Sequence, residues 1–304
     1  MTAPDDHQHH ATRAYYDEFS SRYDAERRPN RPDGYHALES LVCFGDVGDR
    51  LTLRPGARLG LDVHGPRADA AGPVDHNLVL KAARALADRV GGLLTGHFSL
   101  HKQLPAGAGL GGGSADAAAA LRLLAHANRL SLADSRLMAA ALATGADVPV
   151  CVDSKPRWMR GLGEILSEPV RLPPLHAVLV FPGVPLATKD VFAAFHQNGA
   201  HKVTAAPAPM AFPESDREIA PSTLLEWLAP HGNDIESAAV ARLPVIAEVL
   251  GALRAQSGCA LARMSGSGSA CFAIFASQES AAAGARHLSA RANWWVEATS
   301  LGSG

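Results

Sequence analysis

Cysteine is scarce in this 304-residue chain: four residues, Cys43, Cys151, Cys259 and Cys271, lie far apart, each in an apolar run. No Cys-x-x-Cys pair occurs, which excludes the usual zinc-ligand spacing and a disulfide framework and predicts reduced, cytoplasmic thiols. An excess of charge of one sign is also missing. A formal net charge of -2 excludes a phosphate-backbone surface as the main business, so no nucleic-acid partner is expected. No apolar run approaches the roughly 20 residues of a membrane span, so no membrane is expected either. The first residues carry Asp5 and Asp6 and no apolar core, unlike a signal peptide. No internal repeat is visible. What the chain does have is 47% hydrophobic residues, enough for real cores in two domains of ordinary size.

One stretch organises the rest. Phe98-Ser99-Leu100-His101-Lys102 alternates apolar and polar, as a half-buried strand does. Pro105 cannot donate to a sheet ladder and stops it. Five glycines then fall in seven residues, Gly107 to Gly113, allowing backbone angles and close approaches that a Cβ obstructs. Ser114 stands at the expected N-cap, ahead of the helix-forming run Ala115-Asp116-Ala117-Ala118-Ala119-Ala120-Leu121. Strand, glycine loop and helix N-terminus together make an anion site, because the first helical N–H groups lack partners and the dipole is positive there. A Walker A loop is excluded, since Gly113-Ser114 has no lysine before the serine. Gly107, Gly109 and Gly112 fit G-x-G-x-x-G. A dinucleotide fold places that motif at the first βα turn, whereas about 100 residues precede it here.

Elsewhere the periodicities predict the following elements. Residues 1–12 are polar and expected to be disordered, with His7, His9 and His10 in a solvated tail. From Thr12, the spacing of Tyr15, Tyr16, Phe19 and Tyr23 predicts an amphipathic helix. Pro32-Asp33-Gly34 is a tight turn. Tyr35 and His36 after it form either a buried structural pair or a place for a nucleobase. The strands around 49–53 and 58–63 flank Pro55-Gly56 and read as a hairpin. Helices are expected at Asn77–Leu86, from Ala115 to about Asn128, and at Ala133–Ala143, the last with Gly145 as its C-cap. Asp147 follows in an apolar stretch. It needs a charged or hydrogen-bonding partner if buried, and it either caps a turn or does chemistry. A boundary falls near 155–170, and residues 199–222 look irregular. Strands around Met264-Ser265-Gly266-Ser267-Gly268-Ser269 enclose a second loop able to offer N–H groups to an anion.

The run from Pro105 to Ala115 resembles the phosphate loop of the GHMP kinases (galactokinase, homoserine kinase, mevalonate kinase and relatives). In order, Arg31-Pro32-Asp33-Gly34-Tyr35-His36, His76-Asn77-Leu78-Val79, the loop, Gly145-Ala146-Asp147-Val148-Pro149, Met159-Arg160-Gly161-Leu162-Gly163-Glu164, Asn233-Asp234-Ile235-Glu236 and Met264-Ser265-Gly266-Ser267-Gly268 resemble the branch of that family acting on CDP-methylerythritol. The resemblance implies an α+β, two-domain GHMP-kinase-like fold, with a ribosomal-S5-like N-terminal domain and a ferredoxin-like C-terminal domain. Residues 1–30 would be an atypical extension, 31–160 the ATP-binding domain and 161–304 the C-terminal domain. It implies phosphorylation, by ATP, of the 2-hydroxyl of CDP-methylerythritol in the non-mevalonate isoprenoid pathway, by a cytoplasmic monomer or weak dimer. Pro105, Ala106, Gly107, Ala108, Gly109, Leu110, Gly111, Gly112, Gly113, Ser114 and Ala115 would wrap the ATP phosphates. Asp147 would take the hydroxyl proton, Tyr35 and His36 would hold the cytosine, and Ser114 would be a ligand of Mg²⁺.

The chain departs from the family at its start. The family opens with a strand whose lysine lies beside the catalytic aspartate, whereas the first lysine here is Lys81. Residues 14–24 instead resemble the opening helix of certain S-adenosylmethionine-dependent methyltransferases. Besides the active kinase, a non-catalytic nucleotide-binding relative that docks a partner through that helix, another GHMP small-molecule kinase, and a methyltransferase therefore stay open.

Overall fold

A computed structural model of the chain describes residues 8–11, 14–17, 38–161, 163–197 and 219–302. In chain order come β1 (Gln8–Ala11), β2 (Ala14–Asp17), β3 (Leu38–Gly45), β4 (Arg50–Pro55), β5 (Gly60–His64), α1 (Leu78–Ala87) and β6 (Gly96–His101). Then follow α2 (Gly112–Ala127), α3 (Ser135–Thr144), β7 (Arg157–Gly161), β8 (Ile165–Leu166), β9 (Leu175–Phe181) and α4 (Thr188–Gln197). The last are α5 (Pro221–Leu228), α6 (Glu236–Arg242), α7 (Val245–Arg254), β10 (Cys259–Met264), β11 (Cys271–Phe275), α8 (Gln278–Leu288) and β12 (Trp295–Leu301).

The chain divides into two compact units. The first comprises residues 1–15, 47–106 and 111–154, and the second 16–46, 107–110 and 155–304. In the first, a four-stranded sheet runs β1-β4-β6-β5. The expected hairpin is therefore corrected: β6 lies between β4 and β5, antiparallel to β4 and parallel to β5. Parallel neighbours need a crossover rather than a turn, and α1 supplies it. Leu51, Leu53, Phe98 and Leu100 of this sheet are buried, as are Val79, Ala83 and Leu86 of α1. α2 is buried nearly all round, and Ala117 to Ala120 are fully covered. Small side chains let its neighbours approach closely, so the alanines serve packing as well as helix propensity.

The second unit holds an eight-stranded sheet in the order β10-β11-β9-β12-β3-β7-β8, with β2 beside β3. Val178 and Val180 of β9 and Cys271, Ala273 and Phe275 of β11 pack on Ile246, Val249, Leu250 and Leu253 of α7. The β10–β11 hairpin matches the sequence periodicity.

The N-terminal expectations are corrected. Gln8–Ala11 is a strand, in register with β4 from Gln8↔Leu53 to Ala11↔Arg50, rather than a disordered tail. Ala14–Asp17 is a strand on β3, not the start of a helix. For β1, the open edge at β4 presents unpaired N–H and C=O groups that recruit an extended segment, and for β2 the aromatic Tyr15-Tyr16 pair suits a strand. The rest of the expected helix, with Phe19 and Tyr23, lies outside the described residues. The irregular stretch falls mostly on residues 198–218, outside the described residues.

Candidate active site

The glycine loop leaves β6 at His101 and enters α2 at Gly112. Gly107, Gly109 and Gly111 all have positive φ, at 66°, 80° and 63°. Only glycine takes that conformation repeatedly without strain. At Gly109 a side chain is excluded twice over, since its Cβ would lie 2.4 Å from the carbonyl oxygen of Gly268. The N-cap of α2 is Gly111, in the left-handed region, and not Ser114. Ser114 is instead the third residue of the helix, half-buried. The shift has a chemical consequence: Gly112, Gly113 and Ser114 all fall in the first turn, where N–H groups have no intrahelical acceptor. The first intrahelical bond there runs from the Ala115 N–H to the Gly111 carbonyl at 2.9 Å. Of the loop, Pro105, Ala108, Leu110 and Ala115 are buried, Ala106, Gly109, Gly111 and Gly112 half-buried, and Gly107 and Gly113 exposed.

The second glycine-serine loop braces residues 107–110. Ala270 N–H donates to the Ala108 carbonyl at 2.8 Å, and Ser265 Oγ to the Gly109 carbonyl at 3.0 Å. Asn233 Nδ2 in turn donates to the carbonyls of Met264 (3.1 Å) and Gly266 (2.6 Å). The N–H groups of Ser265, Gly268 and Ala270 are used inside this arrangement.

Asp147 follows α3. Lys81 of α1 donates to the carbonyl of Thr144, the last residue of α3, at 2.7 Å. Arg122 of α2 donates to the carbonyls of Cys151 (2.7 Å) and Val152 (3.3 Å). Two cations thus fix the backbone on either side of Asp147. Gly145 occupies the C-cap with φ −179°, an extended conformation open to any residue, rather than the left-handed cap expected of it. Asp147 is half-buried, and burial raises its pKa above the ordinary carboxylate value. Among the described residues its side chain has no hydrogen-bond or ion-pair partner. The expected partner is therefore absent there, and the carboxylate is left available. Tyr35 and His36 lie outside the described residues.

Sequence reasoning missed a buried charge cluster beneath the loop. Lys102 is 5% exposed, Asp49 1% and Asp116 2%. Lys102 Nζ donates to Asp49 Oδ2 and, at 2.9 Å, to Asp116 Oδ2. Asp49 Oδ1 accepts the N–H groups of Gln103 (2.6 Å) and Leu104 (2.9 Å). Burial pushes Asp116 up to about 7, against the pull of Lys102 and aided by Asp49. For Lys102, burial lowers the pKa, but Asp116 and Asp49 outweigh it and the net shift is upward. One signal was legible: Asp116 is a lone acid within an alanine helix, and a buried acid demands a partner.

Residues 77–155 match the family described as GHMP kinases N terminal domain, and residues 220–293 the one described as GHMP kinases C terminal. A 4-diphosphocytidyl-2-C-methyl-D-erythritol kinase of Methylorubrum extorquens (strain PA1) is 53% identical over 277 residues, covering 90% of this chain and 93% of that protein. One from Rhodopseudomonas palustris (strain ATCC BAA-98 / CGA009) is 54% identical over 281 residues, covering 89% and 91%. A crystal structure of 4-(cytidine 5'-diphospho)-2C-methyl-D-erythritol kinase superposes with a TM-score of 0.72 at 33% identity, covering 98% of this chain and all of that one. With both halves of the family signature in order and identity above one half over nine-tenths of its length, the chain belongs to the GHMP kinases, on the branch of the 4-diphosphocytidyl-2-C-methyl-D-erythritol kinases.

Proposed function

We infer that this chain transfers the terminal phosphoryl group of ATP to the 2-hydroxyl of 4-diphosphocytidyl-2-C-methyl-D-erythritol. The observation that carries the reading is the left-handed glycine series 107-109-111 opening directly into the unpartnered first turn of α2. Phosphoryl transfer asks for alignment and charge stabilisation more than covalent chemistry. Backbone amides held in place before the substrate arrives supply both. Relatives more than 50% identical carry that enzyme's name.

In this reading Pro105 to Ala115 bind the triphosphate, with the amides of Gly112, Gly113 and Ser114 directed at phosphate oxygens. Asp147 accepts the proton of the substrate hydroxyl. Its raised pKa makes it a stronger base once ionised, and the absence of a described partner leaves both oxygens free for that proton. Tyr35 and His36 hold the cytosine. The residues also fit a magnesium ion held mostly by the nucleotide: Mg²⁺ keeps waters and phosphate oxygens and needs few protein ligands. Ser114, half-buried in the first turn, would be one of them. When bound, the ion neutralises charge on the phosphates.

A second reading, a nucleotide-binding relative without turnover, is favoured by one observation: no cation pairs with Asp147 among the described residues. ATP consumption with the cytidine-diphosphate substrate separates the two. Turnover is expected in the wild type, and Asp147→Asn, which keeps the shape but cannot take a proton, should lose at least about a hundredfold in kcat. ATP binding without phosphate transfer, even at high enzyme concentration, would sink the kinase reading. Equal rates for the two proteins would move the chemistry away from Asp147.

A further inference from the structure

We propose that Asp49, Lys102 and Asp116 act as a clamp that ties the two ends of the glycine loop together and thereby sets its grip on the triphosphate. The inference rests on the phosphate-loop reading above and assigns that loop three positioning residues. An eleven-residue loop with five glycines, Pro105 to Ala115, has few side chains with which to hold itself. Left alone, it would lose the order its amides need, because glycine has the most backbone freedom to surrender.

The clamp supplies that order from below. At the entry, one oxygen of Asp49 holds the N–H groups of Gln103 and Leu104, the last two donors before Pro105. At the exit, Lys102 holds Asp116, which lies one turn inside α2. The ammonium sits directly under the first residue of that helix: a Cβ on Gly112 would be 3.4 Å from Nζ and 3.6 Å from Asp49 Oδ2. Asp49 joins the two halves, since its other oxygen accepts from the same ammonium. Entry, cation and exit thus form one connected unit.

Two features set it apart from an ordinary structural ion pair. Two acids share one lysine, so a charge-neutral pair would survive the loss of Asp116. And Asp116 Oδ1 is buried with no hydrogen-bond partner among the described residues, a deficit that folding stability alone does not explain. The cluster also borders the candidate base: burial raises the thiol pKa of Cys151, and the charges of both Asp147 and Asp116 add to the rise.

Asp116→Ala in the full chain is the decisive variant, because Asp49 and Lys102 remain paired and the fold is kept. Its KM for ATP should rise tenfold or more, with the KM for the alcohol substrate within twofold of wild type. Asp116→Asn, which restores an oxygen acceptor for the ammonium, should return the ATP KM to within threefold. Thermal unfolding is followed in parallel, and titration with ATP should show the same ranking of affinities. An ATP KM for Asp116→Ala within twofold of wild type overturns the clamp. So does a parallel rise of both KM values, which would report general loosening. Wild-type protein that neither binds nor consumes ATP would defeat the phosphate-loop reading itself, whereas an active wild type with an unaffected Asp116→Ala defeats only the clamp.

Discussion

Asp116 shows how one residue can carry opposing demands. It sits in the most buried helix of its unit and is nonetheless an acid facing Lys102 and Asp49. Burial, the largest influence, raises its pKa from 3.8 to about 7. A carboxylate whose folded pKa exceeds its unfolded value binds more proton when folded. Its contribution to stability is therefore full below the unfolded pKa and is lost as pH rises through the folded one. Between about pH 4 and pH 7, the stability of Asp116→Asn relative to wild type should climb with pH. Urea unfolding across that range checks it; a flat or falling difference would show that Asp116 is already ionised throughout. Gly109 and Gly145 make a second contrast at this scale. The first is required by φ +80° and by the Gly268 carbonyl, the second by nothing in its backbone angles.

Among the elements, α1 does more than cover the sheet. It is the crossover that makes β5 and β6 parallel neighbours, and its Lys81 anchors the end of α3 just before Asp147. Asn77 caps it, accepting the Val79 N–H at 3.0 Å. Losing such a cap costs about 1 kcal/mol, so Asn77→Ala should lower the unfolding free energy by about that amount. Because α1 positions the segment before Asp147, kcat should fall more than KM for ATP. Denaturant titration and steady-state kinetics read the two effects separately, and an unchanged unfolding midpoint would remove α1's cap from the account. The expected hairpin failed at this same scale. The Pro55-Gly56 turn and its two flanking strands are present, but local alternation does not report which strand lies between them.

At the scale of the whole molecule, a ligand that binds only the folded chain must stabilise it by mass action. ATP at a hundred times its Kd should add about 2.7 kcal/mol, read as a thermal midpoint that rises with the logarithm of nucleotide concentration. A midpoint indifferent to ATP would contradict the kinase reading at its base. Sequence by itself determined the family, the glycine loop and the position of Asp147, because each depends on local backbone chemistry: glycine where φ must be positive, alanine where a helix must start and pack, an acid just past a helix end. Only the tertiary structure decided the rest. It placed β6 between two strands that are neighbours in sequence, and it brought the N-terminal segment onto β4 and β3 as strands. It also joined Asp49, Lys102 and Asp116 under one loop, across separations of 53 and 14 residues. Long-range pairing is settled by which edges and which buried charges lack partners once the core has formed, and no local pattern encodes that.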